Sequence, residues 1–181
     1  MPPELSRALR DDRAQAFRAI FQAELGYVWG TLRRLGVSER DAEDVAHDVF
    51  LRVYEKLATY DRARPLRPWL FGFAFRAASD YRRLARHRVE VMKEHDVPLS
   101  APSADAELAR AQDQALIAQA LEAIDIERRA VLVAYEIDEQ PMKEIAEALE
   151  IPVFTAYSRL RVAREELQAN VDRLRKRRGD A

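Results

Sequence analysis

The chain has 181 residues, 48% of them hydrophobic and 34% charged, with five glycines and no cysteine. That length suits one compact domain or two small ones, since domains commonly run about 100 to 150 residues. The lack of cysteine excludes disulfide frameworks, thiolate zinc sites, iron–sulfur clusters and thiol nucleophiles together, and the formal net charge of −1 conceals a strong segregation of charge along the chain.

Other chemistries also lack their signatures. So few glycines leave no phosphate-binding loop of the Walker or dinucleotide type. His47, His87 and His95 are scattered without a His-Glu-x-x-His pair, and there is no Gly-x-Ser-x-Gly elbow. No apolar run approaches the ~18 residues of a membrane span. Met-Pro-Pro-Glu-Leu at the start lacks a basic-then-apolar export signal, so a cytoplasmic protein without membrane insertion is expected.

In chain order, helical periodicity dominates and strand-like alternation is hard to find. The first helices are expected near 11–34, 38–58 and 68–87, broken at Gly36-Val37-Ser38 and between Asp61 and Pro68. Ser38 with Asp41 makes a capping signal for the second helix, where Ala42, Val45, Ala46, Val49, Phe50, Val53 and Leu57 follow a spacing of three and four and mark its buried face. Asp44, Asp48 and Arg52 recur every four residues on another face and are expected to point to solvent or to a partner.

From Arg62 to Arg88 eight arginines stand against Asp80 alone. Trp69, Leu70, Phe71, Phe73, Phe75 and Tyr81 interleave with those arginines; aromatic rings beside cations suit unstacked bases as well as phosphates, although most of a stripe at helical spacing belongs to the core. From Asp96 to Glu127 seven acids stand against Arg110 alone, and His95 to Ala106 combines prolines, serines and acids without apolar periodicity, which marks a linker.

Further helices are expected near 107–123, 127–137, 141–149 and 153–177. Met142, Ile145, Ala146 and Leu149 form the apolar stripe of a short helix that Pro141 can start, and Glu150 to Val153 supplies a tight turn. Ala156, Leu160, Ala163 and Leu167 face inward on the helix that follows, leaving Tyr157, Ser158, Arg161, Arg164 and Glu165 outward. That is a helix-turn-helix whose second helix can enter a major groove. From Thr155 to Arg178, eight basic residues outnumber Glu165, Glu166 and Asp172. The expected fold is all-α: two small helical domains, 1–94 and 107–181, joined by a flexible linker at 95–106, the second containing the helix-turn-helix.

Asp41-Ala-Glu-Asp-Val-Ala-His-Asp-Val-Phe-Leu-Arg, Pro68-Trp-Leu-Phe, Asp80-Tyr-Arg-Arg, and Glu144-Ile-Ala-Glu-Ala-Leu through Ser158-Arg-Leu, in that order, resemble the extracytoplasmic-function sigma factors of bacteria. The resemblance covers nearly the whole chain. It implies a first domain that binds core RNA polymerase through Asp44, His47, Asp48, Phe50 and Arg52 and the minus-ten element through Trp69, Arg76, Asp80, Arg82 and Arg83. It also implies a second domain that reads the minus-thirty-five element of promoter DNA with Thr155, Tyr157, Ser158, Arg159, Arg161 and Arg164. An anti-sigma factor is a further partner common in such a family; no cofactor, metal or catalytic residue is implied. The chain departs from the family pattern at His47, where Gln is usual, at Arg76, which replaces a common Asn, at Asp125-Ile126, which replaces a proline-containing helix start, and at Phe154 and Tyr157, which replace Gly and a basic residue.

Two other classes compete. A stand-alone helix-turn-helix regulator predicts a palindromic operator with half-sites one helical turn apart, whereas a sigma factor reads two dissimilar elements while bound to polymerase. An enzyme acting on nucleic acid needs clustered carboxylates for metal, and the one dense set, Asp41, Glu43, Asp44 and Asp48, has a helical spacing that suits a partner-binding face better.

Overall fold

A computed structural model describes residues 3–91 and 115–179. The expected linker at 95–106 lies outside the described residues. Among the described residues there is no strand: helices α1 (Pro3–Arg34), α2 (Glu39–Lys56) and α3 (Leu66–Val91) are followed by α4 (115–122), α5 (Ile126–Leu132), α6 (Met142–Ala148) and α7 (Val153–Gly179). The all-α expectation holds. The chain divides between Ser79 and Asp80, within α3, into two compact units.

The ends of the helices follow local chemistry. Gly36, at φ 95°, closes α1: its N–H donates to the Arg33 carbonyl at 3.0 Å and that of Val37 to Leu32 at 3.0 Å, the paired bonds that finish a helix through a left-handed residue. Ser38 then caps α2 as its spacing to Asp41 predicts. Its Oγ accepts from the Asp41 N–H at 3.2 Å and donates to Asp41 Oδ2 at 2.8 Å. Pro68 sits in the first turn of α3, where its missing N–H leaves no helical bond unmade.

The core of the first unit is built from one face of each helix. Val28 and Leu32 of α1 and Leu35 just after it are buried, as are Ala42, Ala46, Val49 and Val53 of α2 and Leu70, Phe71, Ala74 and Ala78 of α3. Aromatic rings seal the α1–α2 seam: Phe21 lies edge-on to Phe50 with centroids 4.8 Å apart, and Phe17 to Tyr54 at 5.0 Å. Arg13 stacks 4.6 Å over Tyr54 and donates to the Tyr54 and Glu55 carbonyls, satisfying the C-terminal end of α2.

In the second unit α5 and α6 both pack on α7. Asp125 opens α5 in place of the proline-containing start, its carboxylate accepting from the Glu127 N–H at 3.0 Å. The α5 helix continues into a five-residue π turn, Val133–Ile137, so the single helix expected over 127–137 widens in its second half. Arg129 is fully buried and donates to the carbonyls of Glu122 and Ile124 at the end of α4; burial pushes its guanidinium down to about 10.

Candidate partner and nucleic-acid interfaces

The exposed face of α2 carries Asp44, His47, Asp48 and Arg52, as the fourfold spacing of the charged residues requires. Leu51 lies among them at 63% exposure, an apolar side chain in the middle of a charged face. Sequence periodicity did not single it out, although its place at i+3 from Asp48 and i+4 from His47 carries the signal. Phe50 lies where its spacing in α2 puts it. At 2% exposure, with its ring against Phe17 and Phe21, it belongs to the buried flank of α2 and supports the face without being part of it.

On α3 the aromatic stripe divides between core and surface. Phe71 and Phe73 are buried, whereas Trp69 is half-buried between Tyr60 at 4.8 Å and Phe73 at 4.9 Å. Arg76 is exposed and its guanidinium lies 5.1 Å over the Phe73 ring. One and two turns further on, Asp80 accepts from Arg83 at 3.1 Å, and Arg82 is partly exposed. Arg67 bonds Glu24 at 3.0 Å and stacks 5.0 Å over Tyr27, fixing the start of α3 to α1. On this helix Arg67, Arg76 and Arg83 are thus each held against a ring or a carboxylate, and the Trp69 indole stays partly open.

The α6–α7 pair is a helix-turn-helix. Met142, Ile145, Ala146 and Leu149 are buried, as are Ala156, Leu160 and Ala163 on α7. The turn closes by the same paired bonds that end α1: the Glu150 N–H reaches the Glu147 carbonyl at 3.1 Å and that of Ile151 reaches Ala146 at 2.9 Å. Glu150 takes φ 56°, the left-handed position that usually belongs to glycine.

Four contacts hold α7 in place. Asn170 donates to the buried Ala120 carbonyl at 3.1 Å. Arg128 of α5 bonds Glu166 at 2.9 Å, a hydrogen bond that holds the guanidinium still more firmly protonated. Arg159 pairs with Glu127, and Arg164 bonds Glu136 at 2.7 Å and lies 5.8 Å from the Tyr135 ring. Arg159 and Arg164, expected among the base readers, are thus engaged by their own unit. Thr155 is partly buried. The face left open holds Phe154, Tyr157, Ser158 and Arg161, spaced as i, i+3, i+4 and i+7 on one side of the helix.

Comparison with known proteins decides the family. The sigma-70 region 2 model matches residues 20–88, and the sigma-70 region 4 model matches 114–167. The ECF RNA polymerase sigma factor SigL of Mycobacterium tuberculosis is 32% identical over 162 residues, spanning 89% of this chain and 92% of that one. The chain belongs to the ECF sigma factors. Among solved structures, CnrH in complex with the cytosolic domain of CnrY is 28% identical to this sigma factor, covering 88% of it and 89% of CnrH with a TM-score of 0.62. The sigma factor RpoE of Bartonella quintana, in complex with the anti-sigma factor NepR, shares the fold at 17% identity, covering 87% and 98% with a TM-score of 0.66.

This ECF sigma factor therefore has its region 2 match on α1 to α3 and its region 4 match on α4 to α7. Among the described residues no three His, Asp or Glu side chains gather as metal ligands do, and no helix is long and apolar enough to cross a membrane.

Proposed function

We propose that this sigma factor directs core RNA polymerase to promoters through three separate faces, by binding alone and without catalysis of its own. The α2 face of Asp44, His47, Asp48, Leu51 and Arg52 docks on core polymerase. A central apolar side chain ringed by charge suits such docking, because desolvating Leu51 supplies affinity while the charges set orientation and encounter rate. Along α3, Trp69 offers a ring for an unstacked minus-ten base while Arg76, Arg82 and Arg83 neutralise phosphate, with Asp80 orienting Arg83. On α7, Tyr157, Ser158 and Arg161 read the minus-thirty-five element, with Thr155 at the flank. Arg159 and Arg164 position the helix and reach phosphate by exchanging Glu127 and Glu136 for it.

The observation that carries this reading is the state of α7: its flanks are tied by ion pairs to α5 and to the π turn, while its outward face of Phe154, Tyr157, Ser158 and Arg161 stays open. Supporting domain limits are 1–94 and 107–181, with 95–106 as the connector, since the two family models leave 89–113 uncovered. The site of action is the cytoplasm, where polymerase works. A protein that occupies these faces, in the manner of an anti-sigma factor, fits the same reading; the CnrH structure holds the cytosolic domain of CnrY. A stand-alone regulator is not favoured, because the match to SigL runs through both halves.

The test is co-purification of the tagged full-length chain with core polymerase subunits. Stable co-elution is expected. Binding to a palindromic DNA site with no association to polymerase supports the regulator instead.

A further inference from the structure

The first turns of α7 expose three apolar side chains, Val153, Phe154 and Tyr157, with Phe154 at 76% and Tyr157 at 55% exposure. An aromatic ring left this open finds no partner within its own unit, and it lies on the same face as Ser158 and Arg161. Within three turns of it on the same helix stand Arg159, Arg161 and Arg164, each held by a carboxylate that DNA phosphate can replace. On the promoter-binding reading of α7 the occupant of this face is DNA, and the DNA must offer an apolar feature at the depth of the ring. In the DNA major groove that feature is the thymine 5-methyl group, which apolar side chains contact directly, whereas guanine, cytosine and adenine present only donors and acceptors there.

We infer that Phe154, flanked by Tyr157, reads thymine methyl groups in the minus-thirty-five element and sets the promoter preference of this sigma factor. The inference rests on the promoter-binding reading of α7 and adds the base class that the helix selects. Phe154 stands one turn before Ser158 and two before Arg161, about 10 Å along the helix, so a ring contact to a thymine methyl and an arginine contact to guanine fall about three base pairs apart. The expected element thus carries an A·T pair about three base pairs from a G·C pair. The Tyr157 hydroxyl, beside the ring, is free to serve a phosphate or an adenine edge.

The test uses the full-length chain bound to core polymerase and a duplex pool randomised over the minus-thirty-five region. Enriched duplexes are resynthesised with uracil in place of thymine, one position at a time, and binding is measured at fixed salt. At one or two positions the loss of the methyl weakens the wild type by about fourfold, the ratio that corresponds to ~0.8 kcal/mol for one buried methyl-sized group. Phe154→Ala binds the thymine and uracil duplexes equally, and Phe154→Leu keeps part of the difference; circular dichroism of both variants matches the wild type. An enriched element without A·T pairs, or one in which uracil is tolerated everywhere, overturns the methyl assignment and leaves promoter binding standing. A Phe154→Ala variant as sensitive to uracil as the wild type also overturns it and gives the methyl contact to another residue. A pool that never enriches overturns the promoter-binding reading itself.

Discussion

Arg161 and Glu165 stand one turn apart on the outward side of α7, with Nη1 2.7 Å from Oε1 and both side chains mostly exposed. A pair of this kind contributes only about 0.3 to 0.5 kcal/mol. It holds Arg161 extended along the helix at little cost to its release, so the guanidinium is pre-positioned for a base edge and readily exchanged onto DNA. Arg161 is more exposed than Arg159 or Arg164, which pair across to other elements.

Arg161→Ala is therefore expected to reduce transcription with the loss concentrated at one or two minus-thirty-five positions. A bidentate contact to guanine discriminates by about 1 to 3 kcal/mol, whereas a phosphate contact weakens binding evenly and reduces the salt slope by about one. Transcription from a library of randomised minus-thirty-five elements separates the two. An even drop demotes Arg161 to a phosphate contact, and an unchanged profile removes it from the interface.

On α2, Asp48→Arg and Leu51→Asp each weaken association with core polymerase while leaving helicity unchanged, because both side chains are exposed. Loss of a central apolar contact costs about 2 kcal/mol or more, whereas reversal of a rim charge acts mainly on the rate of encounter and its salt dependence. Surface-immobilised core polymerase, with on- and off-rates measured separately, checks this. Normal rates for both variants would remove the α2 face from the docking site.

Glu150→Gly is expected to stabilise the second unit by about 1 kcal/mol, offset in part by the greater freedom of glycine in the unfolded chain. The reason is the φ of 56° at the helix-turn-helix corner. Thermal unfolding of the full-length chain should show the transition of the second unit raised by a few degrees. A lowered transition means that interactions of the Glu150 side chain outweigh the backbone relief.

Limited proteolysis of the free protein should cut first between His95 and Ala106, giving two folded fragments, because that stretch has prolines, serines and acids without apolar periodicity. First cleavage inside α2 or α7 instead contradicts the two-domain organisation.

What the sequence made legible was whatever depends on near neighbours along the chain. The Ser38–Asp41 cap, the Gly36 break and the apolar stripes of α2, α6 and α7 follow from spacings of three and four residues, and they stand where that spacing puts them except that Val45, Leu57 and Leu167 are only partly buried. What escaped depends on distant partners. Arg129 reads as one more charge in Glu127-Arg128-Arg129, yet it is buried because the carbonyls ending α4 need a donor. Arg159 and Arg164 read as base readers by their basic chemistry, and only the fold brings Glu127 and Glu136 to them. Phe50 is buried as its spacing in α2 requires, whereas Leu51 beside it, which the apolar spacing did not mark, faces out.

The most direct test of the account is run-off transcription by purified core polymerase on a promoter fragment selected with this chain, with and without the chain added. The account predicts a discrete start site that appears only when the chain is present, and that is lost when either the minus-ten or the minus-thirty-five element is scrambled. A start site that persists without the chain, or a chain that binds the fragment but never directs initiation by core polymerase, would contradict it.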